Sequence, residues 1–307
     1  MFSMLLLKLL FVLIFVLLAA AALLYSWNQK IAPTLAARWD RQVPRIPGTD
    51  WLRGASPESL GPERARGAIL FIHGFNGAPN HFADLPRQAA DKGWYIRVMT
   101  LPGHGTYPHA FQQTTPDELL GGVIEELQQL HERFGTVVLL GHSMGGSLAV
   151  LAAAQTGLTS GLILAAPYFG LTRRLPFGPP PEWWIKKLAR IIKWVPFPPR
   201  FHPIRRKSAR QQITAYRWLH SDCGLTAMEV ARRASDPEVL EKVRIPALLI
   251  QSRNDTVTCP VRGAECFARL QAPWTEVVWL ENSDHIVFWD YEADLVTRAV
   301  LSFLVRL

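Results

Sequence analysis

Val137-Val138-Leu139-Leu140-Gly141-His142-Ser143-Met144-Gly145-Gly146 carries an apolar, β-branched run into a serine flanked by glycines, and Ser147-Leu148-Ala149-Val150-Leu151-Ala152-Ala153-Ala154 continues at once with helix-forming residues. Strand, tight turn, helix is the order of a nucleophile elbow. Such a turn forces an unusual backbone at the serine, so the chain beside it must carry no bulky side chains. The predicted result is a hydroxyl presented at the sheet edge, with the Met144 amide free at the start of a helix. G-x-S-x-G alone is a weak signal; the buried strand before it and the helix after it give it specificity.

Outward from the elbow the pattern repeats. Ala68–Ile72 reads as a buried strand ending in His73-Gly74-Phe75-Asn76-Gly77, followed by a helical segment over about 80–92 and a second strand, Tyr95–Leu101, ending in Pro102-Gly103-His104-Gly105. Thr115 and Pro116 start a long amphipathic helix to about Phe134, with Leu119, Leu120, Val123, Ile124, Leu127 and Leu130 at helical spacing. Beyond the elbow come a strand at Leu162–Ala166, another at Ala247–Gln251, a helix near 261–270, a strand at Glu276–Leu280 and a last helix over 292–307. Apolar strands alternating with helices predict an α/β fold: a mostly parallel sheet covered on both faces.

The segment 168–235 interrupts that alternation and differs in kind. It holds fourteen Lys or Arg (including Arg173, Arg174, Lys186, Lys187, Arg190 and Lys193) against Glu182, Asp222 and Glu229, a net +11, so the rest of the +8 chain sums to −3. It also carries Trp183, Trp184, Trp194, Phe197, Phe201 and Trp218, with eight prolines from Pro176 to Pro203. Lying between two sheet strands, it is expected to fold over the strand ends as a cap. One reading of its charge is a solvated basic surface. The sharper one is contact with anionic lipid, where rings seat among headgroups and each near-surface cation adds ~1 kcal/mol. Nucleic acid is not expected, because no reading module accompanies the charge.

Leu9–Leu24 is free of charge, and Met4–Leu7 extends the apolar run across Lys8. As a helix the uncharged core covers about 24 Å, reaching the ~30 Å of a hydrocarbon layer once Lys8 snorkels. Tyr25 and Trp27 fall where an interfacial aromatic belt belongs. Residues 1–27 are read as an uncleaved transmembrane anchor, a single N-terminal span of bacterial inner-membrane type. The competing reading is a cleaved signal segment, with Ala19–Ala22 at the cleavage site and a secreted or periplasmic product. Residues 28–67, broken by Pro33, Pro44, Pro47, Pro57 and Pro62, read as a connector with a short amphipathic helix near Leu35–Arg41. The division is then anchor or signal 1–27, connector 28–67, core 68–167 with 236–307, and cap 168–235. Cys223, Cys259 and Cys266 are too few for a disulfide framework, and no Cys/His spacing suggests a metal.

Acyl transfer by a serine needs a base for its proton, an acid to orient the base and two donors for the developing oxyanion. One candidate for each role follows in order. After Ser143, Asp255 sits in Gln251-Ser252-Arg253-Asn254-Asp255 past a buried strand, and His285 follows the next strand in Asn282-Ser283-Asp284-His285. Both would lie at strand carboxyl ends, on the edge that carries Ser143. The backbone amides of Met144 and Phe75 are the candidate oxyanion donors. Asp284, next to His285, is poorly placed to reach its ring, and His73, His104 and His142 are read as hydrogen-bonded scaffold.

Together, His73-Gly74-Phe75, Pro102-Gly103-His104-Gly105, Gly141-His142-Ser143-Met144-Gly145-Gly146 and the Asp255 and His285 loops resemble an α/β-hydrolase of the monoacylglycerol lipase and bacterial carboxylesterase group. The resemblance covers about residues 68–307. It implies hydrolysis of carboxylic esters, of monoacylglycerol or lysophospholipid type, without cofactor or metal. This chain departs from the group in its membrane segment, its short region before the first sheet strand and its basic cap. Two alternatives stay open: a thioesterase or acyltransferase using the same triad, and a catalytically silent lipid-binding homologue. Sequence leaves oligomeric state unknown.

Overall fold

The structure, a computed structural model, describes residues 2–173 and 177–307. Met1, with Arg174 and Pro176 of the basic segment, lies outside the described residues. The chain opens with α1 (Phe2–Lys30) and α2 (Ala32–Asp40), then the short strand β1 (Glu58–Leu60) and the buried strand β2 (Ala68–Ile72). Next come α3 (Leu85–Ala90), β3 (Tyr95–Val98), α4 (Pro108–Gln113), α5 (Pro116–Phe134), β4 (Val137–His142), α6 (Met144–Thr156) and β5 (Gly161–Ala165). The basic segment holds α7 (Pro181–Leu188), β6 (Trp194–Pro196), β7 (Trp218–His220) and α8 (Ser221–Ala234). After α9 (Pro237–Leu240), the strand–helix alternation resumes with β8 (Ala247–Ser252), α10 (Pro260–Phe267), β9 (Thr275–Leu280) and α11 (Ala293–Val305).

Seven strands form one sheet in the order β1-β3-β2-β4-β5-β8-β9, parallel throughout except for β1, which runs antiparallel on the edge of β3. The central strands are buried along their length and alternate between two cores. Leu70, Ile72, Val137 and Leu139 pack toward α5, α6 and α8, while Ile69, Phe71, Val138 and Leu140 pack toward α3 and α11. That two-sided burial is why these strands read as continuous apolar runs rather than alternating ones. From β2 the chain goes outward to β3 and then jumps back across to β4, so the order reverses between β2 and β4. At such a reversal the loops beyond the carboxyl ends diverge and leave a crevice.

Three local differences from the sequence expectation have physical causes. The helix expected over 80–92 is divided into a 3₁₀ turn at Pro79–Phe82 and α3, with Ala83 between them at φ 51°. Pro86 lies in the first turn of α3, where its missing N–H costs nothing, so the second helix starts there. The strand expected to reach Leu101 stops at Val98. Residues 28–67 are also more ordered than a plain linker, since Ala32, Ala36, Leu52 and Ala55 are buried. The long helix α5 is as expected: the Thr115 hydroxyl accepts from the Glu118 amide at 3.2 Å, and the Glu118 carboxylate accepts from the Thr115 amide at 2.7 Å.

Candidate active site

Ser143 sits at the junction of β4 and α6 with φ 55° and ψ −123°, a strained conformation for any residue but glycine. Close packing holds it there. A Cβ on Gly145 would stand 2.0 Å from the Ile72 carbonyl oxygen, so α6 can start against the end of β2 only because that position is bare. A Cβ on Gly74 would stand 2.7 Å from the Ser143 Cβ, which is how the loop after β2 comes against the serine. These two contacts bring the loop that carries Phe75 and the start of α6 that carries Met144 against Ser143. Among the described residues neither amide has a hydrogen-bond acceptor.

The three polar candidates, from three strand ends, meet in one line. Ser143 Oγ lies 2.9 Å from His285 Nε2, and His285 Nδ1 lies 2.9 Å from Asp255 Oδ2. All three are buried. Asp255 Oδ1 accepts from the Val257 and Thr258 amides, each at 2.8 Å, and Oδ2 also accepts from Thr258 Oγ1 at 2.8 Å and Gln251 Nε2 at 3.3 Å. Burial pushes the Asp255 carboxyl up, but His285 and the donors at Val257 and Thr258 outweigh it and leave the group below the usual carboxylate range. A carboxylate held ionised can orient His285 with Nδ1–H toward it, leaving Nε2 to accept the Ser143 proton.

The other histidines buttress this line. His73 is fully buried, which holds its pKa well below the ordinary value, and its neutral ring donates from Nδ1 to Gly74 O at 3.0 Å while Nε2 accepts from the Leu101 amide at 3.1 Å. His142, lowered the same way by burial and by His285, donates from Nε2 to the His285 carbonyl at 3.0 Å. His104 is pushed down to about 4 by burial and donates from Nδ1 to Pro102 O at 3.0 Å. None of the three contacts Ser143 Oγ. Asp284 turns away from the His285 ring, and its Oδ1 accepts from the Thr256 and His285 amides at 2.9 and 2.8 Å, joining the acid loop to the histidine loop.

Two supports were not evident in the sequence. Asp290, fully buried, accepts from four backbone amides, those of Asp284 and Arg205 at 2.8 and 2.9 Å and those of Arg206 and Tyr291 at 3.0 Å each, so it ties the histidine loop to the basic segment. Asn76, at φ 50°, pairs with the backbone of Tyr216 through a donor at 3.2 Å and an acceptor at 2.8 Å, fixing the Phe75 loop to the same segment. The run of strand-end loop residues offers a weak signal for Asn76, since Asn tolerates a left-handed conformation. Nothing local marks Asp290.

Beside Ser143 opens a cavity of about 590 Å³, in the size range of small-molecule sites. Its wall is almost wholly apolar, with Phe75, Ile185, Leu188, Val195, Phe197 and Met228 among its members, and it includes no carboxylate among the described residues. Most of that wall comes from the basic segment. No group of His, Cys, Asp and Glu among the described residues is arranged to hold a metal.

A family model described as Serine aminopeptidase, S33 (Hydrolase_4) matches residues 63–292. The thermostable monoacylglycerol lipase of Bacillus sp. (strain H-257) is 24% identical over 259 residues, covering 83% of this chain and 96% of that protein. The sn-1-specific diacylglycerol lipase ABHD11 of Mus musculus is 25% identical over 262 residues, covering 77% and 80%. A solved structure from work on LipS and LipT, two metagenome-derived lipolytic enzymes, superposes with a TM-score of 0.73 at 25% identity, covering 86% of this chain and all of that one (100%). The monoacylglycerol lipase of Paleococcus ferrophilus gives a TM-score of 0.68 at 20% identity, covering 81% and 98%.

Proposed function

The chain belongs to the Hydrolase_4 family of α/β-hydrolases, and from that premise we propose that it is a carboxylic ester hydrolase which cleaves lipid esters of monoacylglycerol or lysophospholipid type through an acyl-enzyme on Ser143. The observation that carries the reading is the relay Ser143–His285–Asp255, with 2.9 Å at each step, opening on an apolar cavity large enough for an acyl chain. Ser143 Oγ attacks the ester carbonyl carbon as its proton passes to His285 Nε2. The carbonyl oxygen, now an oxyanion, accepts from the Phe75 and Met144 amides, a class of interaction worth about 10²–10³ in kcat per donor. Collapse breaks the bond to the alcohol, which leaves with the proton from His285. Water, deprotonated by His285, then attacks the acyl-enzyme and frees the fatty acid.

The apolar wall separates this reading from peptide cleavage at a free amino terminus. Holding a substrate ammonium in a buried site requires a carboxylate partner, and none lines the cavity among the described residues. Thioester cleavage or transfer to an alcohol uses the same acyl-enzyme and stays as the alternative. The anchor reading of α1 is supported by Met4–Lys30, 27 residues long and apolar enough to cross a membrane, of which Met4–Tyr25 is exposed. Contact of the basic segment with anionic lipid is supported by Trp183, Trp184, Leu188 and Ile191, exposed among Lys186, Lys187 and Arg190.

A panel of mono-, di- and triacylglycerols, lysophospholipids and acyl-thioesters tests the substrate class. Monoacyl esters are expected to be the best substrates. A preference for thioesters, or for acetate over long acyl chains, would overturn it.

A further inference from the structure

Met4–Tyr25 of α1 is exposed along its whole length, and at 1.5 Å per residue it covers about 33 Å, close to one hydrocarbon layer. Contact with the body starts within the next turn. Trp27 meets the Trp218 ring at 6.4 Å between centroids. Asn28 is 1% exposed, and both ends of its side-chain amide are bonded: Oδ1 accepts from the Lys193 and Trp194 amides at 2.5 and 3.1 Å, and Nδ2 donates to the Trp194 carbonyl at 2.9 Å. One turn on, Ala32 and Ala36 of α2 are buried against Trp218, with Leu35 and Trp194 packed alongside.

Asn28 therefore bonds to Lys193 and to Trp194, the first residue of β6, and β6 is a wall of the apolar cavity through Trp194, Val195 and Pro196. Phe197 continues that wall and meets the Phe75 ring at 6.0 Å, beside the candidate oxyanion amide. The last turn of the apolar helix is thus hydrogen-bonded directly to a residue of the cavity wall. A polar side chain buried at the end of a membrane-spanning length is costly unless bonded, and here all three of its hydrogen bonds go to the backbone of Lys193 and Trp194, at the start of one strand of the cavity wall.

We propose that Asn28 is a positioning residue that fixes the rim of the acyl cavity at the membrane surface, so that the substrate is an ester drawn from the bilayer in which α1 sits rather than from solution. The inference rests on the lipid-ester reading and on α1 as a span. A rigid joint keeps the cavity mouth beside the lipid. A flexible one would let the same active site tumble away from it.

The test uses the full chain in liposomes of phosphatidylcholine and phosphatidylglycerol, with a long-chain monoacylglycerol resident in the bilayer and p-nitrophenyl butyrate dissolved in water. The variants are Asn28→Ala and a Gly/Ser spacer of about eight residues, a random coil, inserted between Tyr25 and Ser26. The spacer keeps the Asn28 bonds but uncouples the body from the span, and it decides the matter alone if Asn28→Ala does not fold. Turnover of the bilayer ester should fall roughly fivefold or more in both, through lost effective concentration, and in the spacer variant the soluble ester should stay within about twofold of the parent. Equal rates on the bilayer ester for parent and spacer variant would overturn the proposal, as would equal losses on both esters in the spacer variant. A parent that cleaves only the soluble ester would sink the bilayer source and leave the esterase reading intact. A parent that cleaves neither would remove both.

Discussion

Asp255→Asn removes a charge while keeping the shape. The side chain is buried, and its two oxygens take five hydrogen bonds: two amides, the Thr258 hydroxyl, the Gln251 amide and His285 Nδ1. In the variant the remaining oxygen is best kept on the Val257 and Thr258 amides, which bond to no other acceptor among the described residues. The new NH₂ then faces His285 Nδ1. It can only donate there, so Nδ1 becomes the acceptor and the proton moves to Nε2, the nitrogen that takes the Ser143 proton in the proposed mechanism. The imidazolium formed during attack also loses its counter-charge. A wrong tautomer of this kind costs about 10⁴ in kcat, or about 5.5 kcal/mol of barrier. The assay is kcat and KM with a p-nitrophenyl ester, alongside Asp284→Asn as the comparison. Asp284→Asn keeps an acceptor for the Thr256 and His285 amides and should lose no more than about tenfold, because it never touches the ring. A loss of less than about tenfold in Asp255→Asn, or the same loss in both variants, would refute the assignment of Asp255 as the orienting acid.

Three further outcomes are expected. Gly224 lines the cavity with open space where a Cβ would stand, so Gly224→Phe should cut hydrolysis of long-chain p-nitrophenyl esters roughly tenfold or more while sparing the acetate, as filling a pocket does; an unchanged chain-length profile would contradict the placement of the acyl chain. Gly145→Ala should fail to fold or melt several degrees lower, since its Cβ meets backbone at 2.0 Å and overpacking costs about 1–3 kcal/mol; a variant with parental melting temperature would show that the α6 start can shift. His81 and His104, both held down to about 4 by burial, remain neutral in the fold while the unfolded chain protonates near the ordinary histidine value. The unfolded state therefore binds more protons below about pH 6.5, and stability falls on acidification by about 1.4 kcal/mol per pH unit for each such histidine. The urea midpoint should drop steeply from pH 6.5 to 5; a flat midpoint over that range would mean these rings are protonated in the fold.

What could be read in the sequence was whatever is encoded locally. Val137–Leu140 and Ala68–Ile72 announce buried strands because both faces are covered, and the Gly–Ser–Gly turn announces itself because a bulky neighbour is sterically excluded. Ser143, Asp255 and His285 could be proposed because each stands just past such a strand, and parallel strands bring their ends to one edge. Supports that depend on distant partners left almost no mark, the residue type of Asn76 being a weak signal at most. Asp290 holds amides at Arg205 and Arg206, Asn76 pairs with Tyr216, and Asn28 pairs with Trp194 across more than half the chain. None has a periodicity or spacing to betray it. The same holds for α4, whose Phe111 packs on the His104 ring at 3.9 Å but whose six residues are too few to show a helical repeat. For the basic segment, composition indicated its charge and aromatic content, while its antiparallel pair of β6 and β7 and its share of the cavity wall depend on contacts with α1, α2 and the Phe75 loop.

The most direct measurement is labelling by a fluorophosphonate, which reacts only with a serine activated by its base, followed by mass analysis of the modified peptide. The relay predicts one label, on Ser143, abolished in Ser143→Ala and nearly so in His285→Ala. A folded protein that takes no label, or a Ser143→Ala variant labelled as fully as the parent, would contradict it.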